Sequence, residues 1–152
     1  KHLGIEVSIK WPNDIVYNKH KLGGVLLESK QNAKKYIFNV GIGINVNESN
    51  KDLPLHLENQ ATSLKIICGE EIEREILLAS ILNELYSTVN NYTCSQIISS
   101  WEKHCNHINC RVSFKHKKKS VEGIFKKINK NGQAIIENNN KSFYYSGAIR
   151  VL

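Results

Sequence analysis

Methionine is absent from all 152 residues, so Lys1 is not expected to be a natural start and the chain is expected to be a fragment. No apolar run approaches the roughly 18 residues that a membrane-spanning helix needs. Lys1-His2-Leu3-Gly4 opens the chain without a hydrophobic signal segment. No membrane association is expected. The four cysteines, Cys68, Cys94, Cys105 and Cys110, lack the spacing of a disulfide framework. They read as reduced thiols of a cytoplasmic protein. His104, Cys105, His107 and Cys110 fall close together but match no standard zinc spacing, so no metal ligands are expected there. Gly41-x-Gly43 lacks the third glycine and the following helix of a dinucleotide fingerprint, which excludes that reading.

What is present suits a folded protein: 152 residues with 41% hydrophobic content can bury a real core. Charge is unevenly placed. Residues 1–110 carry 11 Lys+Arg against 12 Asp+Glu, whereas residues 111–152 carry 10 against 2. The step marks an expected domain boundary near Cys110, with domains 1–108 and 109–152. In the first, Ile5-Glu6-Val7-Ser8-Ile9-Lys10 alternates as a half-buried strand, Gln31 to Lys35 reads as a turn, and Tyr36 to Ile44 is a strand rich in β-branched and aromatic residues. Asn47 to Gln60 reads as loop. From Glu70 to Tyr92 the period changes: Ile72, Ile76, Ala79, Leu82, Tyr86 and Val89 form a helical stripe expected to face the core. Glu70, Glu71, Glu73 and Glu75 are expected in its first turns, where they complement the helix dipole. A shorter helix is expected over Ser95 to His104, with Ile97, Ile98 and Trp101 inward.

The last forty residues hold four short strand patterns: 111–114, 120–128, 133–137 and 142–145, with Val151 ending a fifth. Asn131-Gly132 predicts a type I′ hairpin. Lys115-His116-Lys117-Lys118-Lys119 lies on a turn. Clustered lysines supply the phosphate-binding term of nucleic-acid affinity, but no stacking aromatics interleave them. A solvated basic turn is expected and DNA is not an expected partner.

One stretch concentrates chemistry. Val7 and Ile9 lead into a turn set by Pro12, which displays Asn13 and Asp14. A strand over Ile15 to Tyr17 then reverses through Asn18-Lys19-His20 into another that begins at Lys21. That hairpin brings Lys21 back towards Asp14. Gly23 and Gly24 follow where a strand wants side chains, and glycine there marks a bulge or a close approach. A compact cation beside bare backbone suits an anionic small molecule; the alternative is an edge hairpin with a solvated ion pair.

Lys10-Trp11-Pro12-Asn13-Asp14 with Lys21-Leu22-Gly23-Gly24-Val25-Leu26-Leu27-Glu28 resembles the signature of biotin protein ligases. Gly41-Ile42-Gly43-Ile44-Asn45-Val46-Asn47 and Ala61-Thr62-Ser63-Leu64 are similar to the family's next landmarks, in the expected order. The resemblance weakens from Glu70 to Cys110 and becomes one of pattern in the final residues. It implies an α+β fold: a mixed sheet with packed helices, like class II synthetases, followed by a small SH3-like barrel. It implies activation of biotin by ATP with Mg2+, then transfer to a lysine of the biotin carboxyl carrier protein of acetyl-CoA carboxylase. Lys21 and Asp14 would be catalytic, Lys21, Gly23 and Gly24 would bind biotin, and Asn13, Lys21 and Asn45 would bind the nucleotide. The family's Gly-Arg-rich loop is absent from these residues, so an incomplete catalytic domain is expected. An unpaired sheet edge and exposed apolar face would then invite a homodimer or association with the missing half. A lipoate-attaching relative and a non-catalytic biotin- or nucleic-acid-binding module are the alternatives.

Overall fold

A computed structural model describes residues 3–32, 35–54, 57, 59–116, 119–139, 141–145 and 147–152. The chain is α+β and divides into two compact units. The first comprises Lys1–Val7 and Asn13–Leu78; the second comprises Ser8–Pro12 and Ala79–Leu152.

In the first unit, β2 (Asp14–Tyr17), β3 (His20–Asn32) and β4 (Lys35–Ile44) lie antiparallel in that order. The β2–β3 turn is tighter than expected, with two residues, Asn18 at φ 47° and Lys19 at φ 71°. Two left-handed residues give the primed turn whose twist matches the strands. β3 and β4 form one long hairpin. Its odd-numbered β3 face, from Gly23 beside Ile15 and Ile44, begins at a core where Leu22, Val46 and Leu64 are buried, with Ile5, Val7, Ile15, Ile44, Ile67, Ile72 and Leu77 packed against them. Farther along, the same face carries Leu27, Val40, Phe38 and Tyr36, all exposed. A short helix, α1 (Leu64–Cys68), was not foreseen; Ser63 caps it by accepting from Ile66 N, and Gly69 ends it at φ 81°.

The longest helix, α2 (Arg74–Asn91), starts later than its apolar period suggests. Ile72 is held outside it by Asn47, whose side chain bonds both the Ile72 N–H (2.9 Å) and C=O (3.0 Å). Glu70, Glu71 and Glu73 therefore precede the helix, and only Glu75 lies in its first turn. Its stripe is amphipathic but not buried: Ile76 is 61% exposed and Val89 70%. Periodicity reports that a helix has an apolar face, not what that face meets.

The second unit holds β1 (Ser8–Lys10), α3 (Cys94–His104) and a five-stranded antiparallel sheet. That sheet has the order β8-β7-β6-β5-β9, with β5 at Arg111–His116, β6 at Lys119–Ile128, β7 at Ala134–Asn138, β8 at Lys141–Tyr145 and β9 at Ile149–Val151. The expected boundary at 108/109 is close to where this sheet starts, although the compact unit also takes in α3 and Ser8–Pro12. Thr93 and Gln96 form a capping box at the start of α3. Ile98 and Trp101 pack inward as expected, but Ile97 is exposed. At Asn131-Gly132 the turn is not type I′. Only Gly132 has positive φ (73°), and Asn129 Oδ1 accepts from the N–H groups of Asn131 and Gln133. The asparagine side chain organises a longer turn ending in left-handed glycine. Lys117 and Lys118 of the basic run lie outside the described residues.

The second core gathers Trp11, Val112, Phe114, Phe125, Ile128, Ala134, Ile136 and Ile149. Trp11 lies 6.2 Å from the Phe125 ring and donates Nε1–H to Gly132 O (3.1 Å). His107 is fully buried, edge-on to Phe125 at 4.5 Å, with Cys105 Sγ 3.4 Å from its Nδ1. Burial raises the Cys105 thiol above its ordinary range. Burial, then the charge of Lys10, pushes His107 down to about 4. This is a packed thiol–imidazole contact, and among the described residues no three His, Cys, Asp or Glu side chains converge as a metal set.

Phe125 is fully buried, and Phe125→Ala is expected to lower unfolding free energy by about 3–5 kcal/mol in denaturant titration. His107 stays neutral in the fold and gains a proton once unfolded, so stability is lost as pH falls below 6.5 towards about 4. The slope is on the order of 1.4 kcal/mol per pH unit across that window. Unfolding of wild type and His107→Phe compared at several pH values reads that difference in slope.

Candidate active site

Lys21 and Asp14 meet because, where the two strands pair, residues 20–24 of β3 number one more than Asp14–Tyr17 of β2. Asp14 pairs with Gly24 and Ile15 with Gly23, but Val16 pairs with Lys21, leaving Leu22 as a bulge. Alternation along a strand would otherwise place Lys21 on the face opposite Asp14. The extra residue restores it, and Lys21 Nζ lies 2.5 Å from Asp14 Oδ1. The lysine side chain remains 54% exposed and the aspartate 22%. So open an ion pair contributes little stability, but its ammonium is reachable by a ligand anion.

The two glycines of the motif separate onto opposite faces. Gly23 is on the core side with Ile15 and Ile44, and a Cβ there would run into Gly43 O. Its bareness serves strand packing. Gly24 is on the ion-pair side: an added Cβ would sit 3.1 Å from Asn13 O, 3.5 Å from Asp14 Oδ1 and 3.8 Å from Lys21 Cε. Gly24 pairs with Gly43, and Gly41 pairs with Leu26 on the same face. An added Cβ at Gly43 would have no atom within 4 Å among the described residues. A strip of backbone without side chains therefore runs from the Lys21–Asp14 pair past half-buried Gly24 and exposed Gly43 and Gly41 to exposed Leu26. The period-two spacing of Gly41 and Gly43 already put them on one face; only the strand register aligns them with Gly24.

Asn13 braces the turn with its main chain, its carbonyl accepting from Val25 N (2.9 Å). Asn45 follows β4 and donates Nδ2–H to Thr62 O (2.9 Å), so its Oδ1 is the end left for another group. An open cleft of about 730 Å³ in the same unit is lined by other residues, among them Ile5, Glu6, Cys68 and Glu70.

This arrangement can seat a carboxylate or phosphate at Lys21 and a flat or aliphatic body over the glycine strip. The sequence pattern of the biotin/lipoate A/B protein ligase family matches residues 1–47. A bifunctional ligase/repressor BirA of Bacillus spizizenii is 42% identical over 81 residues, covering 52% of this chain and 25% of that protein. The apo biotin protein ligase of Aquifex aeolicus superposes with a TM-score of 0.84 at 25% identity, covering 99% of this chain and 68% of that one. The same Aquifex ligase in complex with biotin and ATP gives a TM-score of 0.79 at 26% identity, covering 99% and 65%. Over residues 1–47 the chain is similar to the biotin/lipoate A/B protein ligases, and it shares the fold of solved biotin protein ligases. It spans about a quarter of the Bacillus relative, whose name joins ligase with repressor, so the expectation of no DNA partner gains no support.

Gly43→Val is expected to leave thermal stability nearly unchanged, because its side chain meets open space, while abolishing ligand binding on the strip. Gly23→Ala should do the reverse, destabilising by about 1–3 kcal/mol through overpacking. Thermal melts with and without biotin and ATP separate the two.

Proposed function

We propose that this chain forms part of an ATP-dependent biotin-activating site, and that the activated biotin is passed to a lysine of a biotin carboxyl carrier protein. The observation that carries this reading is the Lys21–Asp14 pair at the end of a bare backbone strip. A biotin carboxylate attacks the α-phosphate of ATP, forming an acyl phosphate bond and releasing pyrophosphate. The carrier amine then attacks the acyl carbon and AMP departs. Both steps gather negative charge on oxygen, and a fixed cation lowers their barriers.

Lys21 holds the carboxylate and the α-phosphate together, supplying both charge and proximity. Asp14 is close enough to orient the incoming carrier lysine or accept its proton. Gly24, with Gly43 and Gly41 beside it, lets the biotin body lie on main chain. Asn13 and the Oδ1 of Asn45 serve the nucleotide side. Mg2+ accompanies ATP in the chemistry the resemblance implies, but the described residues offer it no converging carboxylates, since Asp14 already lies against Lys21. The five strands from Arg111 to Val151 read as the small SH3-like barrel behind the catalytic part, and exposed Leu27, Phe38 and Val40 offer an apolar face for self-association.

Biotin-dependent exchange of pyrophosphate into ATP tests the reading, measured with a segment that supplies the Gly-Arg-rich loop. Exchange is expected, and Lys21→Ala should raise its barrier by about 2.7–4 kcal/mol, the size of losing one preorganised electrostatic group. A Lys21→Ala rate within about threefold of wild type would overturn it, since that lies far below the same expected loss.

A further inference from the structure

We infer that Asn45 is a positioning residue for Lys21, acting through the main chain of Thr62; this rests on Lys21 being the cation of the proposed site. β4 flanks β3 only as far as the Gly23–Ile44 pair. At Lys21 the flank is taken over by Gln60–Thr62. Lys21 N–H donates to Gln60 O (2.7 Å), Thr62 N–H donates to Lys21 O (2.9 Å), and Lys21 and Ala61 form a parallel bridge. This segment ends a long connection from Asn45 and belongs to no strand. Two hydrogen bonds are little to hold it against loop entropy.

Asn45 ties it down from three directions. Its N–H donates to Leu22 O (2.9 Å), its C=O accepts from Leu64 N (3.0 Å), and its side-chain Nδ2–H donates to Thr62 O (2.9 Å). One residue thus joins the Lys21 strand, the flanking segment and the start of α1. The assignment of the amide follows from chemistry, because a carbonyl can only accept and so must face the NH2 end. Thr62 is 7% exposed and Ser63 is fully buried, so losing that donor strands an acceptor in a covered residue. Ser63 Oγ–H adds a bond to Glu48 O (2.6 Å), and Asn47 grips Ile72 farther along. A lysine aims its ammonium through a flexible four-carbon stem. Fixing both backbone groups of Lys21 removes the main-chain part of that freedom, and reacting geometry tolerates little slack.

Asn45→Asp removes the donor but keeps an acceptor oxygen where Oδ1 is, which separates the latch from a nucleotide contact. Hydrogen exchange of the 152-residue chain, read amide by amide, should show Lys21 and Thr62 exchanging about tenfold faster, the scale of one lost buried hydrogen bond. The Phe125 amide, bonded to Cys110 O in the second unit, should not change. Unchanged protection at Lys21 and Thr62 overturns the latch, as does an equal loss at Phe125. In pyrophosphate exchange, Asn45→Asp should lower kcat about tenfold with KM for ATP nearly constant, as expected when only transition-state alignment is lost. A raised KM for ATP at constant kcat would leave Asn45 with its Oδ1 contact to the nucleotide alone and overturn the inference. Faster amide exchange in a protein whose wild type shows no pyrophosphate exchange would leave the latch standing and remove the adenylation reading.

Discussion

Where the two strands pair, Leu22 is the residue that β3 holds in excess of β2, and the register shift it creates is the constraint on which the site depends. Side chains alternate strictly along a strand, so a hairpin of equal strands would send Lys21 and Asp14 to opposite faces. With the bulge, the ammonium and the carboxylate share a face, while the bulged Leu22 is buried with Val46 and Leu64. One inserted residue therefore does two things: it anchors the strand to the core and turns a cation towards Asp14. Bulges beside active sites commonly re-aim a side chain in this way.

The same alternation sorts the glycines. Gly23 faces the core and has no room for a Cβ; Gly24, Gly43 and Gly41 face the open side, where Gly43 has nothing near it. Glycine in a strand weakens it. Close approach of backbone accounts for Gly23 and bears on Gly24, where a Cβ would sit 3.1 Å from Asn13 O; the proposed ligand over the backbone would account for Gly43 and Gly41. The polar residues around the site are spent differently from those in a solvated loop. Asn45, Asn47 and Ser63 each satisfy main-chain groups of a segment that has no ladder of its own, so the connection from β4 to α2 is held by side-chain amides and a hydroxyl.

Much was legible from local chemistry. The strands of the second unit and α3 follow from alternation, turn residues and capping, and the hairpin turn returns Lys21 to the end of the sheet that holds Asp14. The Trp11 to Asp14 string proved to be divided in its duties: Trp11 is buried with Phe125 in one compact unit, while Asn13 and Asp14 belong to the other. Where expectations missed, a longer-range partner had won. Ile72 leaves the helical period because Asn47 holds its backbone, and Asn131-Gly132 yields its type I′ turn to the Asn129 side chain.

The sequence by itself determined the α+β character and the unequal charge of its two parts. It also determined that a lysine returns to the same end of a hairpin as an aspartate, near paired glycines, because turn chemistry is local; that the two share a face was decided by the bulge at Leu22. Only the tertiary structure decided which glycine shares the face of the Lys21–Asp14 pair, that Gly41 and Gly43 join Gly24, that the α2 stripe is exposed, and that Asn45 reaches Thr62. Each of these depends on strand register or on contacts between residues far apart in the chain, and neither is written in local spacing.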